Sequence, residues 1–310
     1  MYHSGRLGIM DDGQSTVLHD SPLSQFADQT AEFLRYHVLS AVKLLEFRRI
    51  DWELVGRLGQ VDRLQQLLGE KFRLVLDCDA PQYYELALEF HSTFQYIHIF
   101  NMTLPQFAMA TGFYTQQEVA KPVFVSLLRG VMKKQQDHCV MKEDLARFWV
   151  TIATSPFSNN MVASDIRDPL YRFVHKILAA TLIGRHEDDN KVNHHSLFCL
   201  MCMVEGRPAN LASIFAWSMT RPKKGGGKSR MFGGPYITWL ADNLGVFVDY
   251  PVDRMHTGPA LSLMELKSFQ QAGIITCDTP PAWSSIVEGP QVQPPPGSAA
   301  DAAMQAAIPS

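Results

Sequence analysis

Residues 194–202 contain four side chains of the types that bind zinc: His194, His195, Cys199 and Cys202. Imidazole and thiolate groups form tetrahedral zinc sites in proteins. On a helix, His195, Cys199 and Cys202 would share one face. Structural zinc sites, however, bring ligands together from two short elements, and here all four lie in one apolar segment. The sequence therefore favours two core cysteines behind a pair of histidines, and it predicts no metal or other cofactor.

A second stretch, Gly225 to Ser229, is similar to the phosphate-binding loop G-x-x-x-x-G-K-S. That loop needs a glycine five positions before its last one, where this chain has Pro222. The motif should also follow a buried strand, whereas this stretch follows a predicted helix that carries Phe215 and Trp217. Both mismatches argue against nucleotide hydrolysis.

The same loop carries five cations without an acid among them. They are Arg221, Lys223, Lys224, Lys228 and Arg230. Cations on a glycine-rich backbone can adapt to the phosphates of RNA or DNA. The alternative is a solvated surface loop, which is the commoner role of such a run. The sequence thus gives a second functional hypothesis, nucleic-acid binding through residues 221–230.

No other constellation points to catalysis. Glu187, Asp188 and Asp189 are adjacent in a predicted loop, and adjacent acids rarely converge on one ion without partners elsewhere. Serine, histidine and aspartate residues are scattered and have no nucleophile-elbow or kinase context. The sequence therefore predicts a protein that is not an enzyme, and it identifies no small-molecule substrate.

The composition limits the class of protein. With 310 residues, of which 46% are hydrophobic, the chain can bury a sizeable core. Its net charge of −3 excludes a broad attraction to nucleic acid or anionic membranes. An odd number of scattered cysteines, five, favours reduced thiols, and no apolar run is long enough to span a membrane. We therefore predict an intracellular protein of the cytoplasm or nucleus without a membrane partner.

The element that must position these residues is a helical hairpin between Asn193 and Met219. Every residue from Leu197 to Val204 is apolar, which predicts a helix that is buried on all sides. Asn193 can cap its start, while Gly206 and Pro208 can end it and begin a second helix. We expect the rest of the chain to pack around this hairpin.

Helical periodicity recurs along most of the chain. Its strongest signals predict a long helix between Pro22 and Arg49, helices on both sides of Gly59 that end at Gly69, and helices after Pro81, Thr103, Glu143 and Asp168. Two more are predicted over 237–244 and 263–272. Residues 96–102 are strand-like, and 72–77 fit either a strand or a helical turn.

These signals predict a mainly α fold: one multi-helix, bundle-like domain over 21–277 with at most a few short β-strands. Residues 1–20 are polar and aperiodic, which predicts a flexible N-terminal segment. Residues 278–310 are rich in proline, alanine, glycine, serine and glutamine, a composition that cannot build a core. We expect both termini to be disordered.

Several long strings resemble the first-open-reading-frame product of Athila-type long-terminal-repeat retrotransposons of plants, in particular its C-terminal domain. They occur in the same order and extend over about residues 47–276. The strings are RRIDWEL at 48–54, EFHSTF at 89–94, QFAMATGFYT at 106–115, IRDPLYRFVH at 166–175, LIGR at 182–185, FCLMCM at 198–203, RPANLA at 207–212 and GPYI at 234–237.

The resemblance implies a gag-like protein that acts by protein association, including self-association. Gag-like products typically assemble and package RNA, but the resemblance carries over no catalytic residues. The chain also has no Asp-Thr-Gly protease triplet, no Tyr-x-Asp-Asp polymerase motif and no Cys-x-x-Cys-x-x-x-x-His knuckle. Because the knuckle is missing, RNA packaging by this chain alone is the weaker expectation.

Overall fold

The computed structural model describes residues 30–93, 102–132, 136–184, 190–219, 230–278 and 280–287. Within these ranges the chain is mainly helical, as predicted. The helices are α1 Ala31–Leu39, α2 Trp52–Arg57, α3 Val61–Leu76, α4 Tyr84–Thr93, α5 Leu104–Ala110, α6 Gln116–Val119, α7 Pro122–Ser126, α8 Lys142–Ile152, α9 Pro169–Ala180, α10 His194–Val204, α11 Leu211–Met219, α12 Gly234–Asn243, α13 Val246–Asp249 and α14 Leu266–Gln271. Two short 3-10 helices cover Ala163–Asp165 and Val252–Arg254.

Six short strands form three separate parallel pairs in the described part of the chain. Strand β1 (Lys43–Leu44) pairs with β5 (Arg230–Met231), and β2 (Arg48–Arg49) pairs with β6 (Ser262–Leu263). Strand β3 (Gly130–Met132) pairs with β4 (Cys139–Met141). Each pair is only two or three residues long. The pairs therefore join connecting segments by backbone hydrogen bonds and do not form a separate sheet layer.

The predicted hairpin is at the centre. Helix α10 contacts α3, α8, α9 and β3, and each of its residues from Ser196 to Met203 is buried. The start of α10 lies beside the end of α11, where the His195 ring stacks on Trp217, so the two helices are antiparallel. In α11, the Phe215 ring packs at 5.0 Å from Tyr236 and 5.6 Å from Phe113.

Capping side chains explain where several helices begin. Thr103 and Gln106 form a reciprocal capping box at the start of α5. Asp168 accepts a hydrogen bond from Leu170 N at 2.8 Å, and Pro169 occupies the first position of α9. Asn193 accepts hydrogen bonds from the backbone of His195 and Ser196. The predictions for these three helix starts are confirmed.

The prediction of one long helix up to Arg49 is wrong, because α1 ends at Leu39. The Tyr84 hydroxyl lies 2.9 and 2.8 Å from the carbonyl oxygens of Ser40 and Val42, and its single proton is shared between these two acceptors. Strand β1 then pairs with β5, and Leu45 N donates to the carbonyl of Met231. These long-range hydrogen bonds hold residues 40–49 in an extended path, although their apolar spacing is helical.

Gly69 interrupts the regular helix, as predicted: its backbone, with φ 58° and ψ −175°, is not helical, and α3 consists of two helical segments that meet there in a kink. The second segment ends at Leu76, so most of residues 72–77 are helical. One expectation changes at the C-terminal end. Residues 280–287, which their composition assigned to the tail, contact the domain: Ile275 bridges to Trp283, and Val287 N donates to the carbonyl of Arg167. The predicted strand at 96–101, the N-terminal segment and residues 288–310 lie outside the described residues.

Candidate interaction surfaces

The three residues considered for zinc do not form a shared site. Cys199 and Cys202 are 0% and 1% exposed, while the His195 ring is stacked on Trp217. Burial raises the pKa of Cys202 to about 12 and that of Cys199 well above the ordinary value, so both thiols stay protonated. Within the described ranges, no group of three or more His, Cys, Asp or Glu residues is placed to hold one metal ion.

Residues 220–229, which include Arg221, Lys223, Lys224 and Lys228, lie outside the described part of the chain, as do Glu187, Asp188 and Asp189. Arg230 is described: it is half-buried in β5 and stands in register with Lys43 of β1. Side chains of residues paired in a parallel ladder lie on the same face, so the end of the loop is next to one more cation.

A groove that the sequence did not reveal runs along α3, and we call it the α3 groove. It consists of two adjoining clefts of about 510 and 390 Å³, which have Gln66, Leu67, Met203 and Gly206 in common. The smaller cleft reaches Leu170 and Tyr171 of α9, and the larger one extends to α6 and α7. The apolar lining includes Leu67, Leu68, Phe72, Phe124, Leu127 and Met203.

Lys71 fixes one wall of the α3 groove. Its Nζ atom lies 2.6 Å from Glu118 Oε1 and donates to the carbonyl of Phe113 at 3.1 Å. It also lies 4.9 Å from the centre of the Tyr114 ring. The hydrogen bond from Lys71, together with bonds from Thr115, lowers the pKa of Glu118 to about 2. Glu118 therefore stays ionised at neutral pH, and its contact with Lys71 joins α3 to α6.

Tyr114 fixes the neighbouring wall, which is formed by the turn of the hairpin. Its hydroxyl donates to the carbonyl of Ala209 at 2.9 Å and accepts a hydrogen bond from Leu211 N at 3.1 Å. Burial raises the pKa of Tyr114 to about 12, so the hydroxyl keeps its proton. Because both walls are held by hydrogen bonds, the groove is preformed.

A second apolar surface lies on α1, and we call it the α1 ridge. It consists of Ala31, Leu34 and Val38, which share one helix face. Leu34 and Val38 are 58% and 55% exposed. The helix buries Tyr36 and Leu39 instead, on the face that packs against α4. An apolar stripe at helical spacing normally faces the core, but the tertiary structure leaves the ridge residues at the surface.

The described residues thus form a mainly α-helical protein that has a preformed apolar groove and an exposed apolar ridge. In the described part of the chain, no helix has both the length and the apolar character needed to cross a bilayer. Comparison with known protein families, with characterised proteins and with solved structures gives no match.

Proposed function

We propose that this chain is a non-enzymatic, gag-like protein derived from an Athila-type retrotransposon, and that it acts in the cytoplasm or nucleus by associating with other protein chains, including copies of itself. The exposed α1 ridge is the observation that carries this proposal. Leu34 and Val38 are more than half exposed, although they belong to the most regular apolar repeat near the start of the chain. Burying large apolar side chains is the main driving force of protein association.

Size-exclusion chromatography with light scattering tests the proposal. The wild-type chain should form species larger than a monomer as its concentration rises, while the variant Leu34→Glu/Val38→Glu should remain monomeric. Val248→Glu is the matched control, because Val248 is 84% exposed on α13 and lies outside the ridge. A wild-type chain that stays monomeric at high concentration and captures no partner would contradict the proposal.

Nucleic-acid binding through residues 221–230 is the second candidate function. The observation in its favour is the register of β1 and β5, which puts Lys43 beside Arg230 at the end of the loop. Two neighbouring cations can contact the same phosphate group. Lys43 therefore extends the set of candidate contacts beyond the loop.

A mobility-shift titration at several salt concentrations tests this second function. Lys223→Glu/Lys224→Glu should abolish binding and leave the fold intact, and Lys43→Glu should weaken binding. Lys267→Glu, a reversal at an exposed position on α14, is the control. If the wild-type chain does not bind RNA or DNA even at low salt, this function is excluded.

A further inference from the structure

The α1 ridge is an exposed apolar surface and the α3 groove an apolar cleft, and the two lie on different parts of the molecule. Helix α1 packs on α4, whereas the groove is formed by α3, α6, α7, α9 and the hairpin turn. We propose that the α1 ridge of one copy docks into the α3 groove of a second copy. This inference rests on the proposed function and names the two surfaces through which it would operate.

The first argument is the fit of a helix into an apolar groove. Leu34 and Val38 are one helical turn apart, so they form two neighbouring projections on one face. The α3 groove offers two neighbouring clefts that meet at Leu67 and Met203. Helix-in-groove recognition commonly uses anchors at this spacing, and flexible methionine side chains adapt well to such anchors.

The second argument is one ion pair that docking would add at the edge of the groove, whose lining also carries Lys121 and Arg207. Arg35 is next to Leu34 and is 36% exposed; its ion pair is an exposed one with Glu32, at 3.2 Å. Such exposed pairs along a helix contribute little, so Arg35 can exchange partners at low cost. Glu70 lines the α3 groove, is exposed, and forms no ion pair with another described residue. Arg35 of one copy and Glu70 of the next would therefore form a favourable contact.

The third argument concerns the symmetry of the resulting assembly. A contact between two different surfaces of the same chain is heterologous, because each copy still has a free ridge and a free groove after docking. Such contacts produce closed rings or open chains of copies. The proposal therefore predicts assembly beyond a dimer, which a symmetric ridge-to-ridge contact would not produce.

A mixing experiment distinguishes these arrangements. The ridge variant is Leu34→Glu/Val38→Glu, and the groove variant is Leu67→Glu. Each variant alone should be monomeric in light scattering, because each lacks one of the two surfaces. A 1:1 mixture should form a dimer and nothing larger, because only the ridge of the groove variant and the groove of the ridge variant remain intact.

Four further variants keep the test decisive. Leu67 is half-buried, so Val123→Glu serves as a second groove variant at a lining residue that is 53% exposed. Circular dichroism verifies that each variant is folded. In addition, Arg35→Glu and Glu70→Arg should each weaken assembly by about 3- to 10-fold, whereas the double charge swap should restore it.

The outcomes separate this inference from the proposed function. If the wild-type chain assembles but folded groove variants assemble equally well, or if the mixture of variants stays monomeric, the ridge-to-groove contact is wrong and association through another surface remains. If the wild-type chain does not assemble and captures no partner, both proposals fail.

Discussion

The guanidinium group of Arg172 donates to the carbonyl of Gly273 at 2.6 Å, and this contact joins the middle of α9 to the turn after α14. Arg172 is only 7% exposed. Its Nε atom donates to the carbonyl of Ile166 at 2.7 Å, and Nη1 reaches the carbonyl of Ala272 at 3.3 Å. Burial lowers the pKa of Arg172 from its ordinary value, but the surrounding carbonyls compensate the charge.

Replacing Arg172 should therefore destabilise the fold strongly. We expect Arg172→Met to lower the free energy of unfolding by about 3 kcal/mol. The reason is that the carbonyls of Ile166, Ala272 and Gly273 would lose a charged hydrogen-bond donor. Urea denaturation followed by circular dichroism measures this. Arg147→Met is the control: the Arg147 side chain is 78% exposed and pairs only with Asp144 on its own helix. Equal effects of the two substitutions would contradict the assigned role of Arg172.

Two glycines with the same backbone conformation should respond differently to alanine. Gly184 and Gly59 have φ values of 65° and 67°, so alanine at either position costs about 1 kcal/mol of backbone strain. A Cβ atom at Gly184 would also lie 2.3 Å from the Phe232 ring, whereas one at Gly59 would meet no atom within 4 Å. Gly184→Ala should therefore lose about 1–3 kcal/mol more than Gly59→Ala. Thermal unfolding compares them, and equal losses would show that Phe232 does not occupy this space.

Glu89 should make stability depend on pH. Its burial in α4 raises the pKa from 4.5 to about 7. Between these pH values the folded protein keeps a proton that the unfolded chain releases, so the free energy of unfolding should fall as pH rises through this range. The total decrease should be at most about 3 kcal/mol.

Comparing wild type with Glu89→Gln separates the contribution of Glu89 to the pH dependence of stability from the contribution of the histidines. Urea titrations at several pH values between 5 and 8 should show a smaller decrease for Glu89→Gln than for wild type. Glu53→Gln, at an exposed position on α2, should retain the wild-type decrease. Identical pH profiles for wild type and Glu89→Gln would exclude a raised Glu89 pKa. The Lys71–Glu118 pair does not interfere, because its contribution is lost only as pH falls from 4.5 towards 2.

The cysteines should divide into two groups when a thiol reagent is added to the folded protein. Cys277 is exposed and Cys139 is half-buried, whereas Cys78, Cys199 and Cys202 are buried. Reagents attack the thiolate, and burial disfavours it. We therefore expect rapid labelling of Cys277, slower labelling of Cys139, and labelling of the other three only after unfolding. Mass spectrometry of labelled peptides provides the measurement, and rapid modification of Cys199 or Cys202 would require a different placement of α10.

The buried helix α10 and the α1 ridge show what apolar spacing in the sequence can and cannot predict in this protein. The apolar run from Leu197 to Val204 predicted a fully buried helix, and α10 is one, because a helix without a polar face has no stable position at the surface. The ridge residues have an equally regular apolar pattern, but they are exposed. Periodicity identifies which residues share a face, whereas only the neighbouring helices decide whether that face is covered.

The sequence by itself determined the mainly helical class, the central hairpin and several helix starts, because apolar spacing and capping side chains act within a few residues of each other. Only the tertiary structure decided where α1 ends, since Tyr84 and strand β5 hold the chain after Ser40. It also decided that a second helical segment follows the kink at Gly69 and ends at Leu76, and that α3, α7 and the hairpin turn enclose a groove. These features depend on contacts between residues far apart in the chain, which local patterns do not specify.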